Sequence, residues 1–177
     1  MIRAERGDRY SRGAIAFHWT IAALVLVNLF IGLFHESLLE GLRVMPIHKA
    51  IGVTVLVLTL GRIAWRLTHK PPHLPDAMPG WEKAAAKTLH FLLYTLLLIM
   101  PLTGWIWSGD VTRSRPFSWF GLFDVPLIPV GHDLARTLHD AHETLGLVMA
   151  GLVVIHVAAA LRHHFLLKDR VLVRMLP

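Results

Sequence analysis

Four long apolar runs constrain the fold of this chain more than any other feature. A helix of about 20 apolar residues spans the ~30 Å hydrocarbon core of a bilayer. The mean hydropathy of +0.52 and the hydrophobic share of 54% are also too high for an ordinary soluble domain. The sequence therefore predicts an all-α fold, an integral-membrane four-helix bundle made of one domain over residues 1–177. The predicted spans are residues 14–34, 47–67, 88–108 and 141–161.

The segments between these runs are predicted to be loops. They comprise a short polar link over residues 36–45 and a proline-rich segment that begins at Pro71. The third link, over residues 108–139, is rich in proline, glycine and aromatic residues. The aromatic residues that flank the outer end of the third span are predicted to form a belt at the outer membrane interface, namely Trp105, Trp107, Phe117 and Trp119.

The basic residues indicate how the bundle is oriented. If the N-terminus is cytoplasmic, 13 of the 18 Lys and Arg residues, among them Arg3 and Arg6, lie on the cytoplasmic side. Because cytoplasmic segments of membrane proteins are enriched in Lys and Arg, both termini are predicted to be cytoplasmic. The orientation of the chain in membrane lipid thus accounts for its basic residues, and the net charge of +6 does not require a nucleic-acid partner.

Histidine is the candidate ligand for any metal. The chain has 12 His and no Cys, so thiolate zinc sites, iron–sulfur clusters and disulfides are excluded. A histidine inside a membrane span is expensive to desolvate and therefore indicates function. By depth, His18 is level with His156 near the inner face of the membrane. In the same way, His48 is level with His142 near the outer face.

Two of these histidines share the fourth apolar run. His142 and His156 are fourteen residues apart, which in a helix is roughly 21 Å and within about 40° of the same face. One helix can thus serve two sites that stack across the membrane. Imidazoles that face each other across a helical bundle are suited to hold a b-type haem.

Small residues favour the same four histidines as haem ligands. A flat porphyrin needs helix backbone to approach closely beside the ligand. Four residues after each ligand candidate stands a small residue, whereas His35 and His90 are followed by Leu39 and Tyr94. Ordinary interhelical packing remains an alternative explanation for these small residues. They are Ala22, Gly52, Gly146 and Ala160, after His18, His48, His142 and His156.

Several motifs together resemble bacterial cytochrome b561. The similarity covers nearly the whole chain, including the R-x-x-x-R pair and the closing L-V-R-M-L-P. It implies an inner-membrane protein in which His18, His48, His142 and His156 bind two bis-histidine b haems. The motifs are A-F-H-W at 16–19, I-H-K-A-I-G at 47–52, H-E-T-L-G at 142–146 and H-V-A-A-A-L-R-H-H at 156–164.

The resemblance also implies a reaction. Members of this family carry electrons between the periplasmic side and the quinone pool, and they include superoxide oxidases that oxidise superoxide and reduce ubiquinone. Superoxide:ubiquinone oxidoreductase is therefore the implied activity, with ubiquinone as a bound substrate. The family is also similar to the cytochrome b subunits of hydrogenases and formate dehydrogenases. The alternative is an electron carrier that serves a redox partner protein and has no substrate chemistry of its own.

Five residues near the inner face each have two possible roles. Arg62 and Arg66 lie on one helix face and either snorkel to the headgroups or pair with haem carboxylates. His90 either packs at a helix end or contacts a cofactor, as a ligand, beside a propionate or at a quinone. His163 and His164 are either interfacial residues or part of an inner quinone pocket.

Two other functions follow from the residues alone. His139 and His142 form an i, i+3 pair that could hold zinc, although no third ligand is evident. A haem-free scaffold or transporter is the second alternative.

Positively charged residues in the outer segments would raise the encounter rate of a small anion such as superoxide. The candidates for this role are Lys49, Arg113 and Arg115.

Overall fold

Four long helices dominate the computed structural model. All four are long and apolar enough to cross a membrane, which confirms the predicted all-α membrane bundle. Each helix packs against the next one along the chain, α1 on α2, α2 on α3 and α3 on α4. The helices are α1 (Arg12–Phe34), α2 (Met45–Thr68), α3 (Gly80–Trp107) and α4 (His132–Leu161).

The structure describes residues 9–73, 75 and 78–177. Arg3 and Arg6, two of the cations that indicate the orientation, lie outside these residues. Within them, buried apolar side chains from all four helices form one core. Its fully or nearly buried members are Ile21, Ile31, Ile51, Val55, Leu96, Leu97 and Met149.

The helix boundaries agree with the apolar runs for α1 and α2 but not for α3 and α4. The first two helices lie within two residues of the predicted spans at each end. In contrast, α3 begins eight residues before its apolar run and α4 begins nine residues before. The early part of α3 contains Ala84–Ala86, which are strong helix formers. The prediction of a loop over residues 132–139 was wrong, because these residues form the first turns of α4. A hydropathy pattern detects only the part of a helix that lies inside hydrocarbon.

Both described ends of the chain meet at one end of the bundle. The Arg9 guanidinium donates to the Leu176 carbonyl oxygen at 2.6 Å. The indole nitrogen of Trp19 in α1 donates to the Met175 carbonyl oxygen at 2.7 Å. We call this the inner end and the opposite end the outer end. The assignment of the inner end to the cytoplasm stays a prediction.

The link between α3 and α4 contains a small hairpin that the sequence did not predict. Strands β1 (Ser118–Trp119) and β2 (Phe123–Asp124) are antiparallel. Phe120 and Gly121 in the turn have positive φ angles of 47° and 77°. The Trp119 indole donates to Thr54 Oγ1 of α2 at 3.0 Å, which ties the hairpin to the outer end of the bundle.

A buried carboxylate closes the same link. Asp110 accepts hydrogen bonds from the Thr112 backbone at 2.8 Å and from the Thr112 hydroxyl at 2.7 Å. It also lies 2.9 Å from His132 Nδ1, on the first residue of α4. These hydrogen bonds, that of His132 first, lower the pKa of Asp110 from 3.8 to about 2. The carboxylate therefore joins the end of α3 to the start of α4.

Candidate functional site

Two histidines face each other at the outer end of the bundle. His48 of α2 and His142 of α4 have ring centroids 6.0 Å apart, with ring planes at 79°. We call them the outer pair. His48 Nδ1 lies 3.2 Å from the Asn28 carbonyl oxygen, and His142 Nδ1 lies 3.1 Å from that of Met100. When Nδ1 donates to a carbonyl, Nε2 keeps the lone pair that binds a metal.

A second pair lies near the inner end. His18 of α1 and His156 of α4 have ring centroids 6.2 Å apart, with ring planes at 75°. We call them the inner pair. His90 of α3 lies beside it, with its ring centroid 5.3 Å from that of His156. Its Nδ1 is 2.6 Å from the Ala86 carbonyl oxygen. The inner site thus brings together three of the predicted residues.

The spacing within both pairs fits a metal between the rings. A metal–imidazole bond is about 2 Å and the nitrogen lies about 1 Å from the ring centre, so two rings on opposite sides have centroids about 6 Å apart. The outer pair also lines a cavity of about 620 Å³, together with Gly52 and Gly146. This volume is in the range of ligand pockets, roughly 300–1,000 Å³. The residues present therefore fit a haem.

Two glycines on the neighbouring helices make room for the outer pair. A Cβ atom on Gly32 of α1 would lie 3.1 Å from Cε1 of His48. A Cβ atom on Gly104 of α3 would lie 3.0 Å from Cε1 of His142. Both distances are shorter than ordinary van der Waals contact. Helices α1 and α3 thus supply the space in which the rings of α2 and α4 lie.

A spacing of fourteen residues recurs on all four helices. Fourteen residues are about four helical turns, so both members lie on nearly the same helix face. The same spacing could have identified the two glycines from the sequence, because each follows a histidine of the inner level. The pairs are His18 with Gly32, His48 with Arg62, His90 with Gly104 and His142 with His156.

Arg62 and Arg66 of α2 pack together on one aromatic ring near the inner end. Their guanidinium carbons lie 5.3 Å and 5.8 Å from the ring centroid of Tyr94. Among residues 9–73, 75 and 78–177, neither arginine forms an ion pair with an Asp or Glu side chain. Two cations without an acidic partner suit a ligand that carries carboxylates.

Comparison with known proteins identifies the family. Residues 9–177 match the family described as prokaryotic cytochrome b561. This chain belongs to that family. The prediction made from the sequence motifs is therefore confirmed, and the resemblance extends over nearly the whole chain.

Relatives support the assignment at moderate identity. Cytochrome b561 homolog 2 of Escherichia coli K12 is 35% identical, over 96% of this chain and 92% of its own length. The Probable superoxide oxidase CybB of Yersinia pestis is 31% identical, over 96% of each chain. Cytochrome b562 of Cereibacter sphaeroides is 32% identical, over 94% of each chain.

Membership in the cytochrome b561 family sets the general function. The chain is a multi-pass bacterial membrane protein that transfers electrons, and the family implies a b-type haem. The predicted membrane electron transfer is confirmed at this level. The residues of the two pairs also provide nitrogen ligands of the type that haem iron binds in proteins.

Three other histidines do not belong to either pair, although one of them, His35, lines the outer cavity. His163 Nδ1 is 2.5 Å from Asp169 Oδ2, in a π-helical turn that follows α4. His35 bonds to the Gly32 carbonyl oxygen on its own helix at 2.9 Å. The His164 ring packs against the next residue, Phe165. Within the described part of the chain, His163 makes no hydrogen bond or ring contact with the inner pair.

The side chain of His139 contacts an aromatic ring and two carboxylates. Its ring packs against Trp107, with centroids 4.2 Å apart, and its nitrogens lie 3.5 Å and 3.4 Å from carboxylate oxygens of Asp140 and Glu143. Where the structure describes the chain, no group of three or more His, Asp or Glu side chains is arranged to hold a metal ion. The i, i+3 pair of His139 and His142 is thus not part of such a cluster.

Proposed function

We propose that this chain holds two b haems and carries electrons across the bacterial inner membrane from superoxide to ubiquinone. His48 and His142 would hold an outer haem, and His18 and His156 would hold an inner haem. The observation that carries the proposal is the spacing of the two pairs, 6.0 Å and 6.2 Å between ring centroids. The pairs share α4, so the two sites stack along one helix.

The chain's own residues prepare the outer site for its ligand. The carbonyl groups of Asn28 and Met100 fix the tautomer of the outer pair, so that Nε2 is the nitrogen that binds. Held by two histidines, the haem would supply transfer of single electrons and not binding of a further ligand.

The inner site has additional polar groups for a carboxylate ligand and a quinone. Arg62 and Arg66 bind the carboxylates of the inner haem, supported by their packing on Tyr94. His90 contacts the inner haem or a bound ubiquinone, supported by its position beside His156. A role for His163 at the quinone stays a prediction, since its ring is bonded to Asp169.

The choice of superoxide is supported by the relative in Yersinia pestis that is named for this activity. The reaction balances when two superoxide ions give up one electron each and become two dioxygen molecules. One ubiquinone takes up the two electrons and two protons and becomes ubiquinol. Cations at the outer end attract the anionic donor, namely Lys49, Arg113 and Arg115.

A haem count with ligand variants tests the binding part of this proposal. Reduced-minus-oxidised visible spectra of the purified protein should show two low-spin b haems per chain. His48→Ala or His142→Ala should each remove one haem, whereas His35→Ala, at the same level but hydrogen-bonded to its own helix, should keep both. A His48→Ala protein with two haems and full electron transfer would contradict the assignment.

The inner ligands need a separate comparison because three histidines are close together. We expect His18→Ala to remove the inner haem and His90→Ala to keep it. The opposite result would make His90 the partner of His156, and the spectrum of each variant separates the two arrangements.

The substrate is tested by measuring ubiquinone reduction with a steady source of superoxide. The purified protein should reduce ubiquinone at a rate that depends on superoxide, and superoxide dismutase should abolish the reaction. A protein with two intact haems that copurifies with a dehydrogenase and shows no such activity would instead be an electron carrier for that partner.

A further inference from the structure

Two cations line the outer cavity next to the outer pair. Lys49 directly follows His48 in α2, and Arg115 comes from the link between α3 and α4. Lys49 Nζ donates to the Arg115 carbonyl oxygen at 2.8 Å, so the two segments are joined at this point. Nζ also lies 5.2 Å from the Phe117 ring centroid, and the Arg115 guanidinium carbon lies 4.9 Å from that of Trp107.

Within the part of the chain that the structure describes, no Asp or Glu carboxylate pairs with either of these cations, Lys49 and Arg115. Glu143 lines the same cavity, but its carboxylate lies 3.4 Å from His139. Lys49 is half-buried, and a cation removed from water needs an anion or hydrogen-bond acceptors. The cavity wall therefore offers two charges to an anionic ligand.

The arrangement repeats that of the inner end. There, Arg62 and Arg66 also have no acidic partner among the described residues, and they pack on the ring of Tyr94. Each end of the bundle thus combines a histidine pair with two cations held on aromatic rings. A b haem carries two carboxylates on one edge, and guanidinium and ammonium groups bind carboxylates strongly.

We propose that Lys49 and Arg115 bind the two carboxylates of the outer haem and turn its carboxylate edge toward the outer link. This inference rests on the proposed function, which puts that haem between His48 and His142. It also separates the outer cations by role. With the haem bound, its carboxylates would offset the charges of Lys49 and Arg115. Of the three cations proposed above to attract superoxide, Arg113, which does not line the cavity, then keeps that role.

The reduction potential of the outer haem reports on this arrangement. A nearby positive charge favours the reduced haem, which carries one positive charge less than the oxidised form. We therefore expect Lys49→Gln and Arg115→Gln each to lower the midpoint potential of the outer haem. The potential of the inner haem should not change, and Lys49→Arg should restore the wild-type value.

Arg113→Gln is the matched control, because it removes a charge from the same link without touching the cavity. The experiment is a redox titration of both haems in each purified variant. No shift in Lys49→Gln and Arg115→Gln with both haems retained would overturn the inference, as would an equal shift in Arg113→Gln. A wild-type protein without an outer haem would instead overturn the proposed function, so the two failures are distinguishable.

Discussion

Gly104 of α3 lies so close to the ring of His142 that a side chain at this position requires the ring to shift. A Cβ atom at position 104 would lie 3.0 Å from Cε1 and 3.3 Å from Nδ1 of His142. The same ring bonds to the Met100 carbonyl oxygen of α3 at 3.1 Å. Helix α3 therefore fixes the position of a histidine that it does not itself carry.

We expect Gly104→Val to displace His142 and to lower the outer haem content several-fold, with the inner haem retained. The reason is that the ring cannot keep both its place and its hydrogen bond once a branched side chain fills that space. Haem per chain is measured from visible spectra. Gly151→Val on α4 is the control, since a Cβ there would meet nothing within 4 Å. Wild-type haem content in Gly104→Val would contradict this role.

A second glycine stabilises the inner end of the bundle. A Cβ atom on Gly13 would lie within 2.5 Å of the Trp65 ring. That indole donates to Ser11 Oγ at 3.0 Å and stacks on His69 with centroids 4.0 Å apart. We expect Gly13→Ala to lower the free energy of unfolding by about 1–3 kcal/mol. Thermal unfolding in detergent measures this, and Gly151→Ala, inside α4 with open space around its Cβ, should be no less stable than wild type.

Stability at acidic pH depends on Asp110. Its pKa is lowered from 3.8 to about 2 in the folded protein, so the unfolded chain binds more protons between these values. The contribution of Asp110 to stability is thus complete above pH 3.8 and is lost as the pH falls toward 2. Unfolding temperatures measured across this window should fall less steeply in Asp110→Asn than in wild type.

The control for this pH dependence is Asp124→Asn, which removes an exposed carboxylate from the same link. That variant should keep the wild-type slope. If Asp110→Asn also kept the wild-type slope of unfolding temperature against pH, the hydrogen bonds from Thr112 and His132 would not be the cause of the loss of stability at acidic pH.

Asp169 holds the segment that follows α4. Its carboxylate accepts from His163 at 2.5 Å and from the Val171 backbone at 2.9 Å. We expect Asp169→Ala to raise amide hydrogen exchange several-fold in residues 167–176 and to leave α2 unchanged. Mass spectrometry of exchanged peptides measures this. Asp140→Ala, on the exposed surface of α4, should not raise exchange in this segment.

The four spans and the depth pairing of the histidines were predictable because hydropathy and helix rise are local properties of the sequence. The beginnings of α3 and α4 were not, since their first turns are helical but polar. The carbonyl partners of the outer pair depend on how neighbouring helices are rotated toward each other. A periodic pattern within one helix does not contain that rotation. For the same reason, the sequence did not predict that the ring of His90 lies closer to that of His156 than the ring of His18 does.

Helix α4 carries one member of each histidine pair, whereas α1 and α2 carry one member of a single pair. An inserted residue between His142 and His156 would turn one of them by about 100° and move it about 1.5 Å along the axis. The helix register between these two residues is therefore shared by both sites, and a change in the length of α4 disrupts at least one of them. A point substitution at His18 or His48 removes one member of one pair and leaves the register of α4, and with it the other pair, intact.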